Sequence, residues 1–179
     1  MVERLVGAGH ARIAMVTGGA SSAEQHQLER PSVSTGRDRV DGYLDALDQA
    51  GLHESVAYLR TGAYNAALAE GLTESLLRET VPPTAIFASD SVVALGVLRA
   101  LRSARVAIPQ QISLVAFDDA EWTSVVAPAI SVVAQPVNQL GRQAAEMLLA
   151  RVQGDTAPPR RRVMGTTFLT RESVGAPPR

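Results

Sequence analysis

The sequence predicts an α/β fold, a parallel sheet with helices on both faces, and three observations lead there. Short apolar runs at residues 13–17 (IAMVT), 85–88 (AIFA) and 112–117 (ISLVAF), with a weaker one at 56–59, alternate with stretches whose apolar residues recur at helical spacing. The runs are continuously apolar, as a strand buried on both faces requires; a strand with one wet face would alternate. The repeated order of strand and then helix is that of right-handed crossover units, which bring all strand C-termini to one edge.

Taken in order, residues 2–7 predict a short amphipathic helix, and residues 13–17 a buried strand closed by Gly18 and Gly19. Residues 20–35 are polar and aperiodic, which predicts a loop. Val40, Tyr43, Leu44 and Leu47 place a helix over residues 36–50, and Gly51 supplies its stop. A strand at 56–59 precedes a helix at 65–79 carrying Leu68, Leu72, Leu76 and Leu77 on one side, which Pro82 and Pro83 prevent from continuing. After the strand at 85–88, Asp90 is placed to cap a helix running to Ser103. Pro109 opens a turn before the strand at 112–117, which Asp118 and Asp119 follow at once. Beyond it lie a run at 131–134 (SVVA), Gln135-Pro136, a long helix at 137–152, a Pro/Arg linker and a last strand at 163–169.

With 179 residues and 46% hydrophobic content, the chain is long enough for one sizeable core. A formal net charge of −1 supplies no positive field for phosphate binding, so this stretch is not expected to bind DNA by itself. Cysteine is absent, which excludes disulfides, thiolate metal sites and cysteine nucleophiles. His10, His26 and His53 are scattered, no apolar run reaches membrane-spanning length, and the N-terminus lacks the order of a signal peptide. A cytoplasmic protein without membrane contact is the expectation.

Small ligands of open parallel sheets sit outside the strand C-termini. The polar residues falling there are Arg39 in the first turn of its helix, Tyr64 after the second strand, Ser89-Asp90 after the third and Asp118-Asp119 after the fourth. Such a set suits a neutral polyol or a heterocycle: a carboxylate accepts from hydroxyls, a guanidinium donates in a fixed fork, and an aromatic face stacks on a ring. It does not suit catalysis, since no nucleophile has an adjacent base and no cluster has metal-ligand spacing. Gly18-Gly19 lacks the phosphate-loop patterns, so no cofactor is expected. Each residue also has a plainer role: Asp90 as an N-cap, Asp118 with Glu121 as a capping pair, Arg39 as a solvated helix charge, Tyr64 and Trp122 as packing residues.

Several segments, in order, resemble the LacI/GalR family of transcription regulators: LVGAGHARIA at 5–14, RDRVDGY at 37–43, PPTAIFASDSVVALGVL at 82–98, VAIPQQISLVAFDD at 106–119, Gln135-Pro136 with Leu140-Gly141-Arg142 and Ala144-Ala145-Glu146, and Arg171-Glu172-Ser173. The resemblance implies Rossmann-like subdomains of the type I periplasmic-binding-protein kind, which close on a small effector, and a separate DNA-binding headpiece. It implies effector contacts at Arg39, Thr35, Tyr64 and Asp118. Ser89 stands where the family usually has asparagine, so a hydroxyl replaces an amide; Trp122 joins the candidates as a second aromatic. The loop at 20–35 is longer than the family's usual one.

The implied organisation is a main effector-binding subdomain at 1–129, a crossover strand and helix of an incomplete second subdomain at 130–162, and a return strand with tail at 163–179. No helix-turn-helix precedes Val2, so DNA would be reached only through a headpiece N-terminal to this stretch. The strand at 131–134 and helix at 137–152 are expected to lack a sheet to receive them, and so to pack back, associate between chains or stay mobile. The implied partners are a small sugar-like effector and, for the intact protein, a second copy in a homodimer. A fragment of a periplasmic sugar-binding protein of an ABC transporter is the alternative; an enzymatic reading, as a small transferase, rests on fold analogy alone.

Overall fold

The computed structural model of the chain describes residues 1–18, 34–62 and 65–178. Helix α1 (Val2–Gly7) leads into β1 (Ile13–Gly18), followed by α2 (Ser34–Gln49), a 3-10 turn (His53–Tyr58), β2 (Leu59–Gly62) and α3 (Ala66–Leu77). Then come β3 (Ala85–Ala88), α4 (Ser91–Ser103), β4 (Ser113–Phe117), α5 (Glu121–Val125), β5 (Ser131–Ala134), α6 (Val137–Val152) and β6 (Thr167–Leu169). The strands form one six-stranded sheet in the order β2-β1-β3-β4-β5-β6. Pairing is parallel from β2 through β5, and β6 alone runs antiparallel, against β5.

Successive strand residues point to opposite faces, and the core divides accordingly. Ala14, Val16, Ile86, Ala88, Leu114 and Ala116 pack under α3 and α4 with Leu76, Val97 and Leu101. Ile13, Met15, Ala85, Phe87 and Val115 pack under α1 and α2 with Leu5, Val40, Tyr43 and Leu47. The double coverage predicted from the continuous apolar runs is therefore present, and all six residues of β1 are buried.

Three expectations need correction. Residues 53–58 form a 3-10 turn, and the strand begins only at Leu59. The reason is polar: buried Ser55 donates to the Ala11 carbonyl at 2.8 Å and accepts from the Ile13 amide at 3.3 Å, holding the backbone in a turn before pairing starts at Met15 and Leu59. Tyr43 adds to this anchor, its buried hydroxyl lying 2.8 Å from the Ile13 carbonyl and 3.0 Å from that of Ser55; burial raises its pKa well above the usual value. The last strand is shorter than the predicted 163–169, because β5 offers partners only to Thr167, Phe168 and Leu169. Finally, β5 is no orphan: Ser131, Val132 and Val133 are buried and pair with Val115, Ala116 and Phe117 of β4. Helix α6 is different, with no buried residue and Leu148 and Val152 66% and 76% exposed.

The tail returns under the N-terminal ends of the strands. Ser173 is fully buried, donating to the Leu114 carbonyl at 2.5 Å and accepting from the Ser131 amide at 2.8 Å. His10, also buried, lies 2.9 Å from both Thr84 Oγ1 and the Gly175 carbonyl. Burial lowers its pKa, only partly opposed by the bond to Gly175.

Candidate functional site

Parallel pairing sets the ends of β1 to β5, at Gly18, Gly62, Ala88, Phe117 and Ala134, along one edge of the sheet. Whatever residue follows each strand is therefore delivered to that rim. Those residues include Ser89, Asp118 and Gln135, and α2 rises from the same side.

Arg39 lies in the first half of α2, half-buried, with its guanidinium carbon 4.0 Å from the centroid of the Phe117 ring. Stacking on an aromatic face fixes the plane of the fork and leaves its in-plane N–H groups free to aim at an acceptor. Asp118 immediately follows that ring. Its backbone is left-handed, at φ 73°, and its amide donates to the Val133 carbonyl at 2.9 Å. Its carboxylate accepts from Gln135 Nε2 at 2.5 Å. The second carboxylate oxygen leaves acceptor capacity at the rim. Guanidinium, ring, carboxylate and amide thus form one continuous chain of neighbours from α2 through β4 to β5.

The other candidates separate. Thr35 is exposed in the first turn of α2. Ser89 is fully buried and its hydroxyl donates to Asp90 Oδ2 at 3.2 Å. Asp90 accepts from the Val92 and Val93 amides at 2.9 Å each, so its capping role holds and draws Ser89 into the same network. Trp122 is half-buried and packs on the α3–α4 core, across the sheet from the core that Phe117 joins. Tyr64 lies outside the described residues. The capping pair of Asp118 and Glu121 does not form: α5 starts after Ala120 without a side-chain cap, and Asp118 is engaged by Gln135 instead.

Beside the rim, on the α1–α2 face, a groove of about 540 Å³ runs over Phe87, Phe117 and Phe168, with Arg4 and Arg39 at its sides. Arg4 repeats the stacking seen at Arg39, 4.8 Å from the centroid of Phe168. Among the described residues no group of histidine and acidic side chains is placed to hold a metal ion. The arrangement can bind and orient a small polar molecule.

Sequence reasoning passed over Phe117 and Gln135. Gln135 could have been found, since it follows β5 as Asp118 follows β4. Phe117 could not, because its ring looks like any other core residue of an apolar run until α2 is laid against it.

The chain matches the model of the periplasmic binding protein-like domain over residues 2–174. It is 37% identical over 174 residues to the probable opine utilization operon repressor of Rhizobium rhizogenes, covering 97% of this chain and 86% of that protein. To the ribose operon repressor of Haemophilus influenzae it is 28% identical over 172 residues, which is 96% of this chain but 48% of the repressor. Its structure superposes on that of a putative LacI transcriptional regulator from Bacillus cereus with a TM-score of 0.86 at 28% identity, covering 97% of this chain and 58% of the other. The chain thus spans most of the first relative and about half of the other two.

Proposed function

The chain belongs to the periplasmic binding protein-like domain family, in the branch of the LacI-type regulators, and from that premise we propose that it is the effector-sensing region of a transcriptional repressor. The observation that carries the reading is the contiguity of Arg39, Phe117, Asp118 and Gln135 at the C-terminal rim of the sheet. A planar donor fork held on an aromatic ring and a carboxylate with spare acceptor capacity suit a small molecule rich in hydroxyl groups, sugar-like in its chemistry. Thr35 and Tyr64 are the further proposed contacts, while Ser89, buried on its bond to Asp90, and Trp122, on the opposite face of the sheet from Phe117, stand apart from this cluster.

The proposal extends to the rest of the protein. Residues 1–129 together with β5 form the main effector-binding subdomain, the remainder of 130–162 hands the chain to a second subdomain across the cleft, and residues 163–179 return it. Effector binding between the two would shift their relative population of closed and open states, and a DNA-binding headpiece in a cytoplasmic homodimer would read that shift. No helix among the described residues is long and apolar enough to cross a membrane. The named relatives are repressors, which favours regulation over solute transport and over catalysis.

Calorimetric titration of the chain and of its Arg39→Ala and Asp118→Ala variants with ribose and a panel of other pentoses and hexoses tests this. Each variant is expected to weaken the binding sugar about tenfold to a hundredfold, the value of a hydrogen bond to a charged group. Variants that bind as tightly as the parent, or a parent that binds no member of the panel, would overturn the assignment.

A further inference from the structure

We infer that Arg171 is a positioning residue for the Asp118 carboxylate, although it lies far along the chain and bonds the neighbouring Asp119 and not Asp118 itself. The inference rests on the reading of that rim as the effector site.

Asp118 holds a left-handed backbone at φ 73°. This conformation is uncommon for a residue other than glycine, though aspartate adopts it more readily than most, and the flanking structure holds it in place. On one side β5 does so, through the bond from the Asp118 amide to the Val133 carbonyl. On the other side the next residue is clamped: Asp119 Oδ1 accepts from Arg171 Nη2 at 2.6 Å and lies 3.2 Å from Thr123 Oγ1. The Arg171 and Asp119 side chains are only 19% and 37% exposed, so water screens this pair less than a surface one.

A single guanidinium here joins three segments. While Nη2 holds the turn after β4, Nη1 donates to Thr123 Oγ1 of α5 and to the Ile130 carbonyl at the entry to β5, at 2.9 Å each. The base of this strut is itself fixed: the Arg171 amide donates to Ser131 Oγ at 2.9 Å, and Glu172 exchanges bonds with Ala129, its amide donating at 3.1 Å and its carboxylate accepting at 3.0 Å. Gln135, the partner of Asp118, lies four residues beyond Ser131 on the same β5 path. Arg171 therefore sets the spacing between the turn carrying the carboxylate and the strand carrying the amide that orients it. Without it, the turn is released to the right-handed conformation and the carboxylate leaves Gln135.

The test is the nuclear magnetic resonance spectrum of the 15N-labelled chain, which reports the Gln135 side-chain amide and the amide–Hα coupling of Asp118 without any ligand. Arg171→Ala is expected to move the Gln135 signal to the free-amide position and change the Asp118 coupling. Asp119→Asn, which keeps Arg171 but removes its anionic partner, moves both in the same direction and stands in if Arg171→Ala does not fold. Arg171→Lys, which restores the charge but not the fork, recovers part of both signals. Arg102→Ala is the control, because Arg102 braces the same β4–β5 connection through the Ala127 carbonyl at 3.2 Å without reaching Asp119.

Unchanged Gln135 and Asp118 signals in Arg171→Ala and Asp119→Asn, or equal changes in Arg102→Ala, would overturn the inference. Titration with the sugar that binds the parent should show Arg171→Ala weakened about threefold to thirtyfold, as for a residue coupled to a site it does not touch. The two readings fail separately. If the amide signal follows Arg171 while Asp118→Ala binds the sugar as the parent does, the effector assignment falls and the strut stands; if binding needs Asp118 but the amide ignores Arg171, only the strut falls.

Discussion

Helix α4 has 13 residues and buries seven of them, among them Val93, Val97 and Leu101, whereas α6 has 16 residues and buries none. Both are amphipathic by pattern, with apolar residues returning every three or four positions. The first packs on the sheet beside α3. The second leaves Leu148, Leu149 and Val152 open to solvent, and the Pro/Arg segment containing Pro158 and Arg160 folds along it. Helical periodicity therefore announces that a face is made for burial and is silent on what covers it. That silence is consistent with the proposed second subdomain, to which α6 would supply a packing face.

The largest expected effect separates the two helices at one residue type. Leu101 is fully buried, and Leu101→Ala should destabilise the chain by about 2–5 kcal/mol through lost burial and a residual cavity. Leu148 is 66% exposed, and Leu148→Ala should stay within about 0.5 kcal/mol. Urea denaturation of both variants decides the matter; equal losses would mean that α6 has a covering partner in solution, such as a second copy of the chain.

Glycine sharpens the contrast further, because the same substitution should change sign. A Cβ on Gly96 would meet the Ala66 carbonyl oxygen at 2.2 Å and the Ala69 Cβ at 2.7 Å, and backbone cannot rotate aside as a side chain can. Gly96→Ala must force α3 and α4 apart, at about 1–3 kcal/mol. Gly141 of α6 has nothing within 4 Å of that position, so Gly141→Ala should firm the helix locally by about 1 kcal/mol from propensity alone. Denaturation reads the first and amide exchange across α6 the second. A destabilised α6 in Gly141→Ala would reveal a close neighbour at that face.

The same division explains what the sequence could disclose. Continuous apolar runs announced β1, β3 and β4, because burial on both faces leaves a mark in composition. The strand predicted at 56–59 begins only at Leu59, because Ser55 and Tyr43 hold a turn through bonds to residues 11 and 13, which no local window contains. An apolar run does not say which sheet it joins, so the pattern at 131–134 does not disclose that β5 pairs with β4. At the rim, Arg39 and Asp118 were legible from strand ends and from family resemblance. Their supports were not: Phe117 depends on how α2 lies, Gln135 on a pairing across β4 and β5, and the Arg171–Asp119 clamp on two segments 52 residues apart.

The smallest effect distinguishes the regions by acid. His10 ties the tail to the covered half of the molecule and lies far in sequence from α6. When neutral it donates from Nε2 to the Gly175 carbonyl and accepts at Nδ1 from Thr84 Oγ1, satisfying both ring nitrogens without charge. Burial holds its folded pKa below the ordinary 6.5, so in the window beneath 6.5 the unfolded chain binds the proton more readily than the folded one. Stability from this residue is therefore complete above that value and declines as pH falls through the window toward the folded pKa. The urea midpoint should drop on moving from about pH 7.5 to 5.5, and less so in His10→Gln, which keeps the polar shape but cannot titrate there. Because α6 makes no bond to this anchor, amide exchange across it, corrected for the intrinsic pH dependence, should not follow the same curve; an α6 that loosened in step with His10 would show that the arm and the covered half share one cooperative unit.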